Sequence, residues 1–203
     1  MQSVIAPGFL IASPGLTDPN FARTVVLMCI HTAENSLGLV VNRSSGLTVR
    51  RVFDDLGLGA TDDMEERDVL VGGPVQTHQG WVLFTEEGPT GTDEIDVGHG
   101  LRLSASRAIL ERISRREGPG RYSLLFGYAG WGPQQLEREI QEGAWLPAEY
   151  DEKLIFEAPI SHRWEMALAS SGIDPAFVTI GGLGAYGPYG DAFGGGGSGN
   201  MEA

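Results

Sequence analysis

Residues 8–43, GFLIASPGLTDPNFARTVVLMCIHTAENSLGLVVNR, decide the fold of this chain more than any other stretch. Residues 8–13 predict a short strand that enters a turn at residues 14–15, a Pro-Gly pair. Residues 24–31 are apolar on both faces and rich in β-branched side chains, which is typical of a central strand covered on both sides. Residues 37–42 predict the returning strand of a hairpin. The core therefore begins with antiparallel strands.

Beyond this hairpin, short strands and amphipathic helices follow one another. A helix is predicted after the N-cap Thr48, with apolar residues at i, i+3, i+4 and i+7 up to Leu56 and with Gly57 at its end. Residues 59–68 are acidic and predict an exposed loop. Further strands are predicted at residues 69–71, 81–85, within 95–103, at 122–128 and at 153–156. Further helices are predicted after Ser104 or Ser106, from Pro133 to Gly143, and over residues 161–171.

The order of these elements predicts the fold class. Strands come in adjacent pairs as often as they alternate with helices, which favours α+β over a doubly wound parallel sheet. We expect a mixed, largely antiparallel sheet flanked by about four helices. Residues 1–185 are predicted to form a single domain, because no linker divides them, and residues 186–203 a disordered Gly-rich tail.

Charge and composition exclude several classes of function. The chain of 203 residues carries a net charge of −13, which opposes attraction to nucleic acid or anionic lipid, so no direct DNA binding is expected. No window approaches the roughly 20 apolar residues of a membrane span. The N-terminus lacks a basic signal start and there is one cysteine, so the cytoplasm is the simplest location.

One stretch is basic, although the chain as a whole is acidic. Residues 102–121 contain six arginines against two glutamates. This pattern predicts either a small face that binds an anion or docks a protein partner, or the solvated face of one helix.

Metal and nucleophile signatures are sparse. The four histidines (His31, His78, His99 and His162) lie far apart in sequence, so neither a metal nor another cofactor is predicted. Cys29 and His31 lie two residues apart on a predicted strand, so we expect their side chains on the same face, where an imidazole could activate a thiol. The same face carries apolar side chains, and we favour a buried structural thiol.

Glycine-rich turns offer the best local binding site. Gly127, Gly130 and Gly132 lie between a predicted strand and a helix N-terminus, where unpaired amides and the helix dipole favour an anion. Alternatively, these glycines serve only a tight turn that packs two aromatic rings. If the ends of several strands meet on one rim, they form a site that binds rather than transforms its ligand. The residues of this predicted ligand site are Asn42, Gly72, Gly73, Gly127, Tyr128, Gly130, Trp131 and Gln135.

Several motifs together resemble the YqgE/AlgH family of bacterial proteins. They are LIASPGLTDPNFARTVV at 10–26, the pair Cys29/His31, GLVVNR at 38–43, VGGPV at 71–75, GYAGWGPQQLE at 127–137, Trp145 and FEAPISHRW at 156–164. The resemblance implies a compact α+β domain with a strongly curled, barrel-like sheet. It implies no reaction, because the family has no established biochemical activity, although members are sometimes labelled regulators of transcription. Many relatives carry a histidine where this chain has Phe84.

Two hypotheses about function follow from these observations. The first is a non-catalytic cytoplasmic binding or regulatory protein whose partner is a small anion or another protein. The alternative is an enzyme that uses Cys29 with His31, or the loop at residues 127–135. The first is favoured, because the sequence holds no assembled triad, metal set or nucleotide-binding motif.

The predicted tail gives a first test. Deleting the residues after Gly187 should leave the melting temperature nearly unchanged, because a Gly-rich segment buries almost no apolar area. Thermal denaturation of the full and shortened chains measures this. A drop of several degrees would show that the tail docks on the domain.

Overall fold

The computed structural model describes residues 5–64 and 66–173, and the predicted tail lies outside them. The strands are β1 (Gly8–Ala12), β2 (Val25–His31), β3 (Ser36–Val40), β4 (Ser44–Thr48), β5 (Asp68–Val71), β6 (Val75–Thr85), β7 (Glu94–Gly98), β8 (Leu101–Ser104), β9 (Tyr122–Trp131) and β10 (Trp145–Ala148). The α-helices are α1 (Val49–Asp55), α2 (Arg107–Ser114), α3 (Gln135–Gln141), α4 (Glu152–Phe156) and α5 (Arg163–Ser170), and short 3-10 helices cover Asp62–Met64 and Ile160–His162.

The strands form one curled sheet of mixed direction. Its order is β10-β1-β2-β3-β9-β6-β8-β7, and these neighbours pair antiparallel. β5 pairs parallel with β9 and antiparallel with β4. The prediction of an α+β fold with a mixed, largely antiparallel, barrel-like sheet is confirmed.

The sheet divides where the end of β5 enters between β3 and β9. The amide of Val40 donates to the carbonyl of Gly72, and the amide of Gly72 donates to the carbonyl of Phe126, each over 2.7 Å. Gly72, which follows β5, is therefore hydrogen-bonded to both β3 and β9. Further along, these two strands pair with each other directly, at Gly38 and Ala129. We call this place the strand crossing, and define it by residues 72–73 and 127–128.

The strand crossing leaves no room for a side chain at Gly72, Gly73 or Gly127. A Cβ on Gly72 would lie 2.4 Å from the carbonyl oxygen of Gly127, and a Cβ on Gly127 would lie 2.4 Å from the carbonyl oxygen of Gly73. Gly73 has a φ of +154°, and its Cβ would lie 2.2 Å from the carbonyl carbon of Tyr128. Both contact and conformation therefore require glycine here.

Three clusters of buried side chains hold the helices to the sheet. The α5 cluster contains Leu27, Cys29, Leu39, Leu70, Leu125, Ile155, Trp164 and Leu168. The α2 cluster contains Val49, Phe53, Met64, Phe84, Ile109, Ile113, Tyr122 and Leu124. The α3 cluster contains Leu10, Val26, Met28, Trp131, Leu136 and Trp145. Alternate residues of β2 and of β9 enter different clusters, as expected for strands covered on both faces.

Side-chain caps explain where two helices begin. The Thr48 hydroxyl accepts a hydrogen bond from the amide of Arg51, and the Ser106 hydroxyl accepts one from Ala108. Both caps were predicted, Ser106 as one of two candidates. Gly57, predicted at the end of α1, has a φ of +67°.

The strand predicted at residues 153–156 is wrong. These residues belong to α4, whose N-cap Asp151 accepts a hydrogen bond from the amide of Lys153 over 3.0 Å. Four residues with three adjacent apolar side chains are too short a run to distinguish a strand from a helix, and the cap decides between them.

Other boundaries differ from the predictions for similar local reasons. The helix predicted from Pro133 begins at Gln135, because Gln134 adopts a φ of +59°. β6 begins at Val75, six residues before the strand predicted at residues 81–85, while β4 and β10 were not predicted. The acidic loop at residues 59–68 contains one anchor, Met64, which is 1% exposed in the α2 cluster.

The strand crossing predicts a strong response to a single methyl group. Gly73→Ala should lower the free energy of unfolding by at least about 2 kcal/mol, because its Cβ meets backbone atoms that cannot rotate away. Gly59→Ala is the matched control, since nothing lies within 4 Å of its Cβ, and it should change stability by less than about 0.5 kcal/mol. Urea denaturation measures both; equal effects would contradict the role of the crossing.

Candidate anion-binding cleft

Four of the eight predicted ligand-site residues meet at the strand crossing. Gly72, Gly73, Gly127 and Tyr128 contact one another through their backbones. The amide of Gly72 is not available to a ligand, because it donates to the carbonyl of Phe126. At these positions the glycines permit close backbone contact.

Three more of the predicted residues, Gly130, Trp131 and Gln135, lie where β9 leads into α3. The Trp131 side chain is 4% exposed, and its indole nitrogen donates to Glu139 Oε2 over 2.9 Å. Gln135 Oε1 accepts from the amide of Gly132, and Gln135 Nε2 donates to Glu139 Oε1 over 2.8 Å. The indole of Trp145 donates to the same Glu139 carboxylate over 2.8 Å. The Glu139 carboxylate thus accepts hydrogen bonds from the indoles of Trp131 and Trp145 and from Gln135 at the beginning of α3.

Asn42 lies apart from this group. Its Oδ1 accepts from the amide of Val25 over 2.8 Å, and its Nδ2 donates to the carbonyl of Arg23 over 2.9 Å. Trp131 pairs with Ser36, six residues before Asn42, which corresponds to roughly 20 Å along an extended chain. The structure does not bring Asn42 and Trp131 together. None of the three clefts described below is lined by any of the eight residues, and binding at this rim stays a prediction.

Cys29 and His31 face opposite sides of the sheet. The pairing of β2 with β3 shifts by one residue between Met28 and Ile30, so Cys29 occupies a bulge. Cys29 belongs to the α5 cluster, whereas the ring of His31 contacts Ser36 over 2.7 Å and Glu137 of α3 over 3.6 Å. The expectation of a shared face is therefore wrong, because a bulge reverses the alternation of side chains.

The thiol of Cys29 is buried, as predicted. The residue is 5% exposed, and burial raises the pKa of the thiol to about 12. The thiol therefore stays protonated at neutral pH, and the nearby imidazole is turned away from it.

The arginines of residues 102–121 do not form one basic face. Arg102 is 5% exposed and binds Glu94 over 3.1 Å and the carbonyl of Gly88 over 2.6 Å. Arg107 pairs with Glu111 over 3.0 Å. The guanidinium of Arg112 binds Glu86, which holds its pKa above the usual value. Neighbouring carboxylates thus neutralise most of this stretch.

A cleft of about 420 Å³ opens where the α5 and α2 clusters meet. Its walls come from the beginning of α1, from β5, from the beginning of β9 and from the segment that leads from α4 into α5. We call it the Arg163 cleft. Its polar and charged lining residues are Glu66, Arg67, Asp68, Arg121, Tyr122, Ser123 and Arg163.

Arg163 is the most unusual side chain in this cleft. It is 6% exposed; its Nε donates to the carbonyl of Ala158 over 3.0 Å, and its Nη1 donates to the carbonyl of Val41. Among residues 5–64 and 66–173 it pairs with no carboxylate. Burial lowers its pKa to about 10, so the guanidinium is still charged at neutral pH. A buried cation with two carbonyl acceptors and no counter-ion is costly.

Tyr122 lies between the Arg163 cleft and a second cleft of about 320 Å³. The residue is 9% exposed, and its hydroxyl oxygen is buried with no hydrogen-bond partner in the described part of the chain. Burial raises the pKa of this hydroxyl. The guanidinium of Arg67 lies 4.7 Å from the centre of the ring and also pairs with Asp63 over 3.3 Å. The two clefts thus share a wall with an unsatisfied polar group.

A third cleft, of about 460 Å³, lies beside α4 and α5. Its lining includes Phe9, Leu154, Met166 and Ala167, together with several charged side chains. None of the buried polar atoms that lack a partner belongs to a residue that lines it.

Sequence reasoning missed Arg163, although a weak signal was present. Arg163, Trp164, Ala167 and Leu168 share one stripe of α5, and all four are buried. An arginine on the apolar stripe of an amphipathic helix indicates a buried charge. Tyr122 carried no such signal, because its missing partner depends on distant residues.

Two general features of the described residues bear on function. Within residues 5–64 and 66–173, no helix combines the length and apolar character needed to cross a membrane. In the same residues, no three His, Cys, Asp or Glu side chains are placed together so that they could hold a metal ion.

The fold and its clefts define a class of α+β proteins built on a curled mixed sheet, and comparison with known proteins agrees. A family model described as AlgH-like matches residues 9–176, and the chain belongs to this family. A UPF0301 protein of Anaeromyxobacter sp. (strain K) is 46% identical over 192 residues, covering 89% of this chain and 95% of the relative. A UPF0301 protein of Methylococcus capsulatus is 43% identical over 179 residues, covering 86% and 93%.

Solved structures show the same architecture. The solution structure of the AlgH protein from Pseudomonas aeruginosa superposes with a TM-score of 0.73 at 32% identity, covering 92% of this chain and 98% of that one. A crystal structure of a protein from Corynebacterium diphtheriae superposes with a TM-score of 0.67 at 23% identity, covering 81% and 86%, and supports the fold alone.

The surroundings of Cys29 predict slow chemistry at this thiol. A thiol reagent should modify the native protein at least about 100-fold more slowly than the denatured protein, because burial excludes the reagent and disfavours the thiolate. Stopped-flow labelling in buffer and in guanidinium chloride measures both rates. Fast native labelling that titrates near neutral pH would contradict this account.

Proposed function

We propose that this protein is a non-catalytic binding protein that holds a small anion in the Arg163 cleft. The observation that carries the proposal is the buried guanidinium of Arg163, which lines the cleft and has no carboxylate partner among the described residues. Charged groups inside proteins are normally paired, and a bound anion supplies the missing partner.

A comparison within the molecule supports this interpretation. Arg102 is buried to a similar extent, but it contacts the carboxylates of Glu86 and Glu94. Arg163 instead has two backbone carbonyls, and burial lowers its pKa to about 10. An anion beside Arg163 would stabilise the charged form, so binding and protonation of the guanidinium favour each other.

The enzymatic alternative receives no support from the geometry of its candidate groups. The thiol of Cys29 has a raised pKa and faces away from His31. In the loop at residues 127–135, the amide of Gly132 is already bonded to Gln135. Within the proposal the protein acts in the cytoplasm and not on DNA, since its net charge of −13 opposes contact with phosphates. A regulatory role would follow if the bound anion changed the affinity for a protein partner.

Thermal stability in the presence of simple anions tests the proposal. Acetate or inorganic phosphate at about ten times its dissociation constant should stabilise the protein by about 1.4 kcal/mol, which raises the melting temperature by roughly 3 °C. Sodium chloride at equal ionic strength is the reference. Arg163→Met should abolish the rise, whereas Arg107→Met, which removes an exposed arginine that pairs with Glu111, should retain it.

The proposal fails if no anion stabilises the protein beyond chloride, or if both variants retain the effect. Tyr122→Phe provides a second variant in case Arg163→Met does not fold. It changes one atom of a residue that lines the same cleft, and it should weaken the stabilisation by the anion.

A further inference from the structure

We infer that the ligand of the Arg163 cleft is a small organic acid, a monocarboxylate with an apolar body. The inference deepens the proposed function and rests on it, since it names the chemical class of the anion. Three features carry it: the hydrogen-bond donors that remain unused, the balance of charge along the cleft, and the apolar part of its lining.

Two side chains that line the cleft keep hydrogen-bond donors without partners among the described residues. Nε and Nη1 of Arg163 each donate one hydrogen, to the carbonyls of Ala158 and Val41, which leaves three of the five N–H groups of the guanidinium, two of them on Nη2. The buried hydroxyl of Tyr122 is the other group without a partner. A pair of guanidinium N–H groups matches the two oxygens of one carboxylate.

The charge of the lining favours a single negative charge on the ligand. Arg67 pairs with Asp63 and Arg121 pairs with Glu152 over 2.6 Å, so Arg163 is the lining arginine without a carboxylate partner in the described part of the chain. A monoanion would balance this one charge. The second charge of a dianion would instead be repelled by Glu66 and Asp68, which also line the cleft.

Apolar side chains form much of the remaining wall. They are Val49, Leu70, Leu124, Ile155, Phe156 and Ile160. With a volume of about 420 Å³, the cleft falls in the range of sites that take small organic molecules. Of these six, Phe156 and Ile160 are partly exposed and the others are buried. An inorganic anion would leave Phe156 and Ile160 in contact with water, whereas an aliphatic or aromatic body would cover them.

A series of acids on the full chain tests the inference. Isothermal titration calorimetry would compare acetate, butanoate and hexanoate with hexanamide, which has a similar body but no charge. Affinity should rise by up to about fourfold for each methylene group that is buried, so hexanoate should bind at least tenfold more tightly than acetate, as an order of magnitude. Hexanamide should bind at least about tenfold more weakly than hexanoate.

Two tyrosine variants test the polar end of the site. Tyr122→Phe should weaken hexanoate binding about five- to tenfold, because the ligand loses a hydrogen bond. Without ligand the same variant should be as stable as the original chain or more stable, since it removes an unsatisfied hydroxyl. Tyr150→Phe is the matched control and should leave binding unchanged. Its hydroxyl is also buried with no partner among the residues that the structure describes, but Tyr150 lines none of the three clefts.

The outcomes separate this inference from the proposed function. If acetate and phosphate bind in a manner that depends on Arg163 but hexanoate binds no more tightly, the inference is overturned and the proposed function stands. If hexanamide binds as tightly as hexanoate, the carboxylate is not recognised and the inference is also overturned. If Arg163→Met and Tyr122→Phe both leave the binding of every anion unchanged, both proposals fail.

Discussion

Two backbone segments cross closely where β5 pairs with β9, and only glycine fits at three positions of this crossing. Residues 72–73 pass so near residues 127–128 that the carbonyl oxygens occupy the space where a Cβ would lie. The crossing lets β5 run parallel to β9 while the end of β3 turns away, and it thereby divides the sheet. Because β5 and the beginning of β9 line the Arg163 cleft, the glycines act on the cleft without touching it. The glycines of the strand crossing thus help to position the Arg163 cleft, which they do not line.

Arg102 and Arg163 are both buried, but different groups compensate their charges. Arg102 is enclosed by carboxylates and a carbonyl, so its charge is satisfied within the fold and serves to join β8 to the segment after β6. Arg163 holds the segment before α5 to Val41 through carbonyls alone. Carbonyl dipoles compensate only part of the cost of removing a guanidinium from water. In the proposed function, a bound anion relieves the remaining cost at Arg163.

Much of the fold could be predicted because its signals are local. The first hairpin follows from β-branched apolar runs, and α1 and α2 follow from the hydroxyl caps Thr48 and Ser106. The α4 helix could not be predicted from residues 153–156 alone, although its cap Asp151 directly precedes the helix. The bulge at Cys29 could not be predicted for a different reason. It depends on how β2 pairs with β3, and the sequence of β2 alone does not show this register.

The candidate site was harder to predict, because it depends on which groups lack partners. The predicted donors Asn42, Trp131 and Gln135 are bonded within the protein, and only the folded chain shows this. Conversely, Arg163 and Tyr122 were predicted only as members of a helix and of a strand. Whether a buried polar group is satisfied depends on residues far away in sequence, such as Val41 for Arg163. Sequence patterns therefore locate the elements better than they locate the site.

A map of the amides that respond to a bound anion tests binding in the Arg163 cleft most directly. In a nuclear magnetic resonance titration of the nitrogen-15-labelled protein with hexanoate, we expect amide shifts to concentrate around residues 66–70, 120–124 and 158–163, which contribute to the Arg163 cleft. Saturating shifts confined to the rim at residues 127–135, or the absence of any saturating shift, would contradict binding in this cleft.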